Sequence, residues 1–266
     1  MNIGVFDSGF GGLTVFRALL ERIPNANYVY LGDTARLPYG AKSQATVARY
    51  AVSSARFLVE QGAEYLVIAC NTASALALDA IRDSVSVPVL GVIETGANGA
   101  KASTRTSDVL VIATAATVES HAYAAACRER GVRAHEKACP LLVPLVEEGW
   151  VDHPVTEDVL QIYLTELLEE SQQAGLNPDT LVLGCTHYPL LRAKIESKLP
   201  QSIRVIDSAE VTASQVANAL GERDVQAELS THRSFYATDS VQKFRRLGTR
   251  FLGQAIDTVE LVDLGG

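Results

Sequence analysis

The chain has 266 residues, 47% of them hydrophobic and 20% charged, with a formal net charge of −8 at pH 7. This length suffices for a large core in one or two domains, and the negative charge argues against nucleic-acid binding, which needs a basic surface. No apolar run reaches the roughly 18 residues that cross a bilayer, and the first residues lack the basic and apolar regions of a secretory signal. We therefore expect a cytoplasmic protein that binds neither nucleic acid nor a membrane.

The first half of the chain alternates apolar runs with amphipathic stretches, which predicts strands alternating with helices. The expected strands cover residues 2–6, 27–31, 66–69 and 87–92, and the expected helices cover 13–22, 43–61, 73–83 and 94–102. A glycine-rich turn at 7–12 follows the first strand, and its glycines allow the backbone to approach a ligand closely.

The same alternation of apolar runs and amphipathic stretches begins again after the polar stretch 103–107. Strands are expected at 108–113, 180–184 and 204–206, and helices at 156–175, 189–199 and 211–220, before a tail of mixed pattern. This alternation predicts an α/β fold with mainly parallel sheets. The two halves share no strict sequence repeat, so their similarity is an expectation about topology only.

Two of the four cysteines lie at predicted strand ends. Cys70 and Cys185 each end an apolar run and are followed by small polar residues. Open α/β sheets bind ligands at the C-terminal ends of their strands, so both thiols are expected at a site. Cys127 and Cys139 are expected to be structural. No two cysteines form a Cys-x-x-Cys pair, which leaves a zinc or dithiol motif without local support.

Two thiols at one site suit inversion of a carbon centre. The α-proton of an amino acid is weakly acidic, and inversion requires one group that removes it and another that returns a proton to the opposite face. A cysteine pKa near 8.5 is close enough to neutrality for its surroundings to tune. Asp7 is a candidate partner for one thiol and His187, two residues from Cys185, for the other. Donors for substrate carboxylates are expected from Asn71, Thr72 and Thr186.

Six motifs then point to a family. They are FDSGFGGLT (6–14), GDTARLPYG (32–40), ACNTAS (69–74), ACPL (138–141), PLVE (144–147) and GCTHYP (184–189). In these motifs the sequence resembles the glutamate racemases of the aspartate/glutamate racemase superfamily, and the match covers most of the chain.

The resemblance implies a fold, an activity and a cellular role. The fold would be two similar α/β domains with mainly parallel central sheets and flanking helices, and with the active site in the cleft between them. The first domain would be discontinuous, covering 1–95 and about 207–266, and the second would cover 96–206. The activity would be interconversion of L- and D-glutamate, without a cofactor or metal, to supply peptidoglycan synthesis. Family members are often dimers, so a homodimer is one arrangement open to the chain.

The resemblance also implies residue roles. Cys70 would exchange the proton of D-glutamate and Cys185 that of L-glutamate, with Asp7 assisting the first thiol and His187 the second. Glu147 would be a further acid near the site. The implied substrate-binding residues are Asp7, Ser8, Tyr39, Gly40, Asn71, Thr72, Thr186 and His187.

Three other functions stay open at this point. A racemase for aspartate or another amino acid would share the superfamily, although DSGFGG and CTHYP favour glutamate. A nucleotide-binding oxidoreductase would use Gly9, Gly11 and Asp33 as a dinucleotide fingerprint, but Thr14 stands at the third glycine position. A regulatory protein that binds gyrase, as some relatives do, has no positive feature in the sequence.

Overall fold

Two parallel sheets form the framework of the protein in the computed structural model, which describes residues 1–221 and 231–265. The strands, in chain order, are β1 (Asn2–Asp7), β2 (Asn27–Gly32), β3 (Tyr65–Ile68), β4 (Val89–Gly91), β5 (Asp108–Ala113), β6 (Arg133–Ala138), β7 (Thr180–Gly184), β8 (Arg204–Asp207), β9 (Arg233–Ala237) and β10 (Glu260–Leu261). The larger sheet has the order β10-β9-β2-β1-β3-β4 and the smaller sheet β6-β5-β7-β8, with every pairing parallel. The predicted fold class is confirmed.

Strand order is the same in the two sheets once β9 and β10 are set aside. In each, the first strand of the unit lies between the second and the third, and the fourth follows the third. Strands β3, β5 and β7 are buried along their whole length. Such strands are near-continuous apolar runs because helices cover both faces of a parallel sheet. The topological similarity expected of the two halves is therefore present.

Helices connect and cover the strands. They are α1 (Leu13–Arg22), α2 (Gln44–Glu60), α3 (Asn71–Ser84), α4 (Val92–Ser103), α5 (Ala115–Glu119), α6 (Ala122–Glu129), α7 (Leu142–Glu147), α8 (Pro154–Gln173), α9 (Arg192–Lys198), α10 (Ser208–Leu220) and α11 (Val241–Leu252). Short 3₁₀ segments occupy Thr34–Arg36, Tyr39–Ala41 and Tyr188–Leu191. Among the described residues, no helix is both long and apolar enough to cross a membrane.

Some elements differ from the sequence-based expectation. Neither the strand β6 nor the helix α6 was predicted. The strand β6 has the polar sequence RAHEKA and lies at the edge of its sheet, where most of its side chains are only partly buried. The helix expected at 189–199 begins instead as a 3₁₀ turn and becomes α-helical at Arg192. Pro189 lies in that turn, where the absence of an N–H group is tolerated.

The tail of the chain returns to the first sheet. Strand β9 pairs with β2, and α11 packs against α1. The discontinuous first domain, with its boundaries at 95 and about 207, stays a prediction. Residues 222–230 and 266 of the segment predicted for that domain lie outside the described residues.

Candidate active site

A cavity of about 680 Å³ lies between residues that follow strands of both sheets. The predicted site residues that line it are Ser8, Tyr39, Gly40, Cys70, Asn71, Thr72, Glu147, Cys185, Thr186 and His187. Asp7, the remaining predicted residue, does not line the cavity and is only 1% exposed. The larger sheet therefore contributes Cys70 to this cavity and the smaller sheet contributes Cys185.

Cys70 is held at the start of α3. It is the N-cap residue, and its Sγ accepts a hydrogen bond from the backbone N–H of Ala73 at 3.4 Å. The thiol donates to Ser8 Oγ, also at 3.4 Å. Burial, with a contribution from the nearby Asp7 carboxylate, raises the pKa of Cys70 to about 12, although the contacts with Ser8 and Ala73 act in the opposite direction. Cys70 is therefore a neutral thiol at neutral pH.

Asp7 lies behind the cavity wall. Its Oδ2 accepts from the backbone N–H of Gly9 at 2.9 Å, while its buried Oδ1 has no hydrogen-bond partner. Burial raises the pKa of Asp7, and the charge of His187 opposes that shift. The side chain in hydrogen-bond contact with the Cys70 sulfur is that of Ser8. Assistance from Asp7 to Cys70, which stays a prediction, would therefore act through charge.

Cys185 has a different neighbour. His187 Nδ1 lies 3.8 Å from the Cys185 Sγ, and His187 Nε2 lies 3.2 Å from Glu147 Oε1. The second oxygen of Glu147 lies 3.5 Å from Lys243 Nζ. A chain of contacts thus runs from the thiol through an imidazole and a carboxylate to an ammonium group.

This chain of contacts favours a charged histidine. Burial lowers the pKa of His187, but the contacts with Cys185 and Glu147 outweigh it and raise the pKa to about 10. Burial likewise tends to raise the pKa of Glu147, but His187 and Lys243 outweigh it and lower the pKa. The Cys185 sulfur therefore lies 3.8 Å from a positively charged ring.

Asn71 and Thr72 present donors at the N-terminus of α3. Asn71 Oδ1 accepts from the hydroxyl of Tyr123 at 2.7 Å, and this leaves the buried Nδ2 without a partner. Thr72 Oγ1 is 3.0 Å from Thr114 Oγ1. A free amide N–H₂ beside a helix N-terminus is an arrangement that binds carboxylates.

Tyr39 is fixed from behind by Asp33. Its hydroxyl donates a hydrogen bond to Asp33 Oδ2, and Thr238 Oγ1 donates to Asp33 Oδ1 at 2.9 Å. Asp33 is fully buried and also contacts Arg36. A carboxylate so occupied is not available to a ribose, so the structure gives no support to the dinucleotide interpretation.

The two sheets meet closely around the glycine-rich turn. A Cβ added to Gly11 would lie 2.2 Å from Thr186 Oγ1 and 2.6 Å from His187 Nδ1. Thr14 Oγ1, one helical turn on, donates to the backbone oxygen of Thr186 at 3.2 Å. Gly11 is thus required by contact with the other half of the site.

Several residues at or beside the site escaped the sequence-based prediction. Thr114 lines the cavity, while Thr117, Tyr123 and Lys243 contact residues that line it. Only Thr114 and Thr117 carried a usable signal, since they follow a predicted strand. Tyr123 lies in the unpredicted α6, and Lys243 lies in a tail whose pattern was ambiguous.

The other two cysteines do not line the cavity. Both are fully buried, and burial raises the pKa of Cys127 to about 11 and that of Cys139 to about 12. Their surroundings agree with the structural role expected of them.

Comparison with known proteins identifies the relatives of this chain. The family profile described as "Asp/Glu/Hydantoin racemase" matches residues 3–216. A protein of Koribacter versatilis named glutamate racemase is 52% identical, over 99% of this chain and 98% of its own length. The structure of glutamate racemase isoform RacE1 from Bacillus anthracis superposes with a TM-score of 0.91 at 37% identity, covering 98% of this chain and 97% of that one. Glutamate racemase from Francisella tularensis, solved in complex with D-glutamate, superposes with a TM-score of 0.90 at 35% identity, covering 99% and 97%.

Proposed function

Because the chain belongs to the Asp/Glu/Hydantoin racemase family, we propose that it interconverts L- and D-glutamate by proton transfer between the α-carbon and two thiols. The observation that carries the proposal is the placement of the thiols. Cys70 follows β3 and Cys185 follows β7, strands with the same position in their sheets, and both residues line one cavity. A substrate in that cavity would have one thiol on each side.

The charged groups around the two thiols supply a direction for the first step. In the resting enzyme the Cys185 sulfur, beside the His187 imidazolium, takes the α-proton of L-glutamate. The C–H electron pair stays on the substrate as a carbanion, and the neutral Cys70 thiol delivers its proton to the opposite face. The product is D-glutamate, with Cys185 protonated and Cys70 a thiolate, and the reverse reaction starts from that form.

The cavity also offers groups that would hold the two carboxylates. Asn71 Nδ2 and the backbone N–H groups at the start of α3 would bind one carboxylate, close to Cys70. Ser8, Gly40 and Thr186 line the same cavity and offer further donors. Hydrogen bonds to the α-carboxylate strengthen as carbanion charge spreads onto it, so these donors would also lower the barrier.

Glutamate is the preferred substrate in this proposal. The curated relative and the solved structures reported above carry the name glutamate racemase, and one of them was solved with D-glutamate bound. The proposal extends to a supply of D-glutamate for peptidoglycan synthesis in the cytoplasm, without a cofactor. A homodimer stays a prediction, which the molar mass from light scattering checks.

The test uses L- and D-glutamate separately in deuterated water, with optical rotation and α-deuterium followed for dialysed wild-type protein, Cys70→Ser and Cys185→Ser. Wild-type protein is expected to racemise both isomers with α-deuterium incorporation. Each serine variant is expected to lose racemisation by about 10²–10⁴-fold, the usual contribution of a general acid or base. Residual exchange without inversion is expected for L-glutamate in Cys70→Ser and for D-glutamate in Cys185→Ser.

Cys127→Ala is the matched control, because it removes a buried thiol away from the cavity, and it is expected to keep wild-type activity. Racemisation that survives both serine substitutions would contradict the two-thiol mechanism. Faster turnover of aspartate than of glutamate by the wild-type protein would contradict the substrate assignment.

A further inference from the structure

The helix α11 reaches the candidate site from outside the cavity. It belongs with β9 to the part of the tail that extends the larger sheet, and its buried face includes Phe244 and Phe251. The ring of Phe251 packs edge-on against the imidazole of His187, with centroids 5.2 Å apart. A helix of the larger sheet's unit thus contacts His187, the histidine beside Cys185 at the end of the smaller sheet.

Lys243 makes a second contact from the same helix. Its Nζ lies 3.5 Å from Glu147 Oε2, while Glu147 Oε1 faces His187. The same ammonium group lies 5.5 Å from the centroid of the Phe10 ring, and Phe10 packs on Phe244. The lysine is therefore placed by aromatic groups of one unit and ion-paired with the acid of the other.

No other cation pairs with Glu147 from outside the cavity within residues 1–221 and 231–265. A smaller cavity of about 340 Å³ lies on that side, where Arg246 and Arg250 line it without an ion pair to the carboxylate. The titratable or charged groups around Glu147 are His187, Lys243, Glu148, Arg246, Arg250 and, at longer range, Asp7. Lys243 is thus the group able to fix the second oxygen of Glu147.

We propose that Lys243 is a positioning residue, which holds the Glu147 carboxylate against His187 and so keeps the imidazole ring beside Cys185. This inference rests on the proposed function for its meaning in turnover. Lys243 does not line the main cavity, so it does not touch substrate. Its effect passes through Glu147 and His187, and it couples the position of α11 to the reactivity of the second thiol.

The ion pair is too exposed to act mainly on stability. Lys243 is 39% exposed and Glu147 is 15% exposed, and pairs of this kind change stability little. The lysine does lower the pKa of Glu147. Removing it raises that pKa, so the carboxylate would be protonated at higher pH and the acid limb of the activity profile would move upward.

The test compares Lys243→Met with Lys243→Arg and Arg246→Met, the last of which removes a cation from the same helix and the smaller cavity. For Lys243→Met we expect kcat to fall about two- to fivefold at pH 7 with KM nearly unchanged, and the acid limb of kcat/KM to move to higher pH. Lys243→Arg and Arg246→Met are both expected to show the wild-type profile of kcat/KM against pH. Melting temperatures should be nearly equal.

A second readout does not depend on turnover. The rate at which iodoacetamide alkylates Cys185, followed by peptide mass spectrometry between pH 5 and 8, should fall in Lys243→Met and be restored in Lys243→Arg. Superimposed wild-type and Lys243→Met profiles would overturn the proposal, and so would an equal shift in Arg246→Met. If wild-type protein fails to racemise glutamate, the proposed function fails, while the alkylation rates still decide the role of Lys243.

Discussion

The two thiols occupy equivalent places in two units of the same strand order, yet their neighbours differ in charge. Cys70, after β3, contacts the hydroxyl of Ser8, and the nearby carboxylate of Asp7 contributes to its raised pKa. Cys185, after β7, contacts His187, and the contacts with Cys185 and Glu147 raise the pKa of that histidine to about 10. One fold therefore builds a neutral thiol on one side and a sulfur beside a cation on the other.

The equivalent loops of the two units also differ. The loop after β2 brings Tyr39 to the cavity with its hydroxyl tied to Asp33, whereas the loop after β6 leads to Glu147 and its contact with His187. A reversible inversion needs one thiol deprotonated and the other protonated. The comparison teaches that two units of shared backbone topology surround their thiols with different charges.

The largest effect should come from removing the cation on one side. For His187→Asn we expect a fall in kcat of about 10²–10³-fold, since Cys185 loses its charged partner. Ser8→Ala, the matched change on the other side, removes only a hydroxyl and should cost about tenfold or less. Steady-state kinetics with both enantiomers checks this, and a larger loss in Ser8→Ala would reverse the assignment of the two sides.

The pH profile sharpens the same comparison. The pKa of His187 is raised to about 10, so the imidazolium persists through neutral pH and is lost only as pH rises through that value. Activity should therefore hold into the alkaline range and then fall about tenfold per pH unit. Because enantiomers have equal free energy, kcat/KM must change equally in both directions. An alkaline limb near pH 7 would contradict the raised pKa.

Gly11 tests the contact between the two units. The added methyl of Gly11→Ala would overlap Thr186 and His187, so we expect the free energy of unfolding to fall by about 1–3 kcal/mol. If His187 instead moves away to relieve the overlap, kcat falls. Chemical denaturation and kcat together check this. The control is Ala115→Gly, which changes the volume at the cavity wall without a steric clash. Gly131→Ala is unsuitable because the backbone of Gly131 has a positive φ.

The smallest effect is expected from Tyr123→Phe. Its hydroxyl fixes Asn71 Oδ1, so its loss frees the amide to rotate and weakens substrate binding, at a cost of about 0.5–1.5 kcal/mol. The change should appear mainly in KM, because the thiols keep their own partners. A large fall in kcat with unchanged KM would contradict this role.

Much of this arrangement was predictable from local sequence. Cys70 and Cys185 were recognisable because each ends an apolar run and precedes small polar residues, and parallel sheets bring such ends to one edge. Glu147 came only from the resemblance, since Glu147 and Glu148 are indistinguishable by pattern. The structure distinguishes them, because Glu147 is the residue that contacts His187.

The remainder depends on contacts between distant residues. Lys243 and Glu147 are nearly a hundred positions apart, and no local pattern links them. The polar strand β6 forms because its neighbour β5 provides a template of backbone hydrogen bonds, which side-chain periodicity does not reveal. The resting proton states depend on burial and on neighbouring charge, both of which arise only in the folded chain.

The most direct test of the central claim compares alkylation of Cys70 and Cys185 in the same wild-type protein at pH 7. The two residues are 5% and 6% exposed, so access is similar and reactivity reports the thiolate population. Peptide mass spectrometry after brief iodoacetamide treatment should show Cys185 reacting at least about tenfold faster than Cys70. Equal rates, or faster modification of Cys70, would contradict the proposed mechanism, in which the two thiols start in opposite proton states.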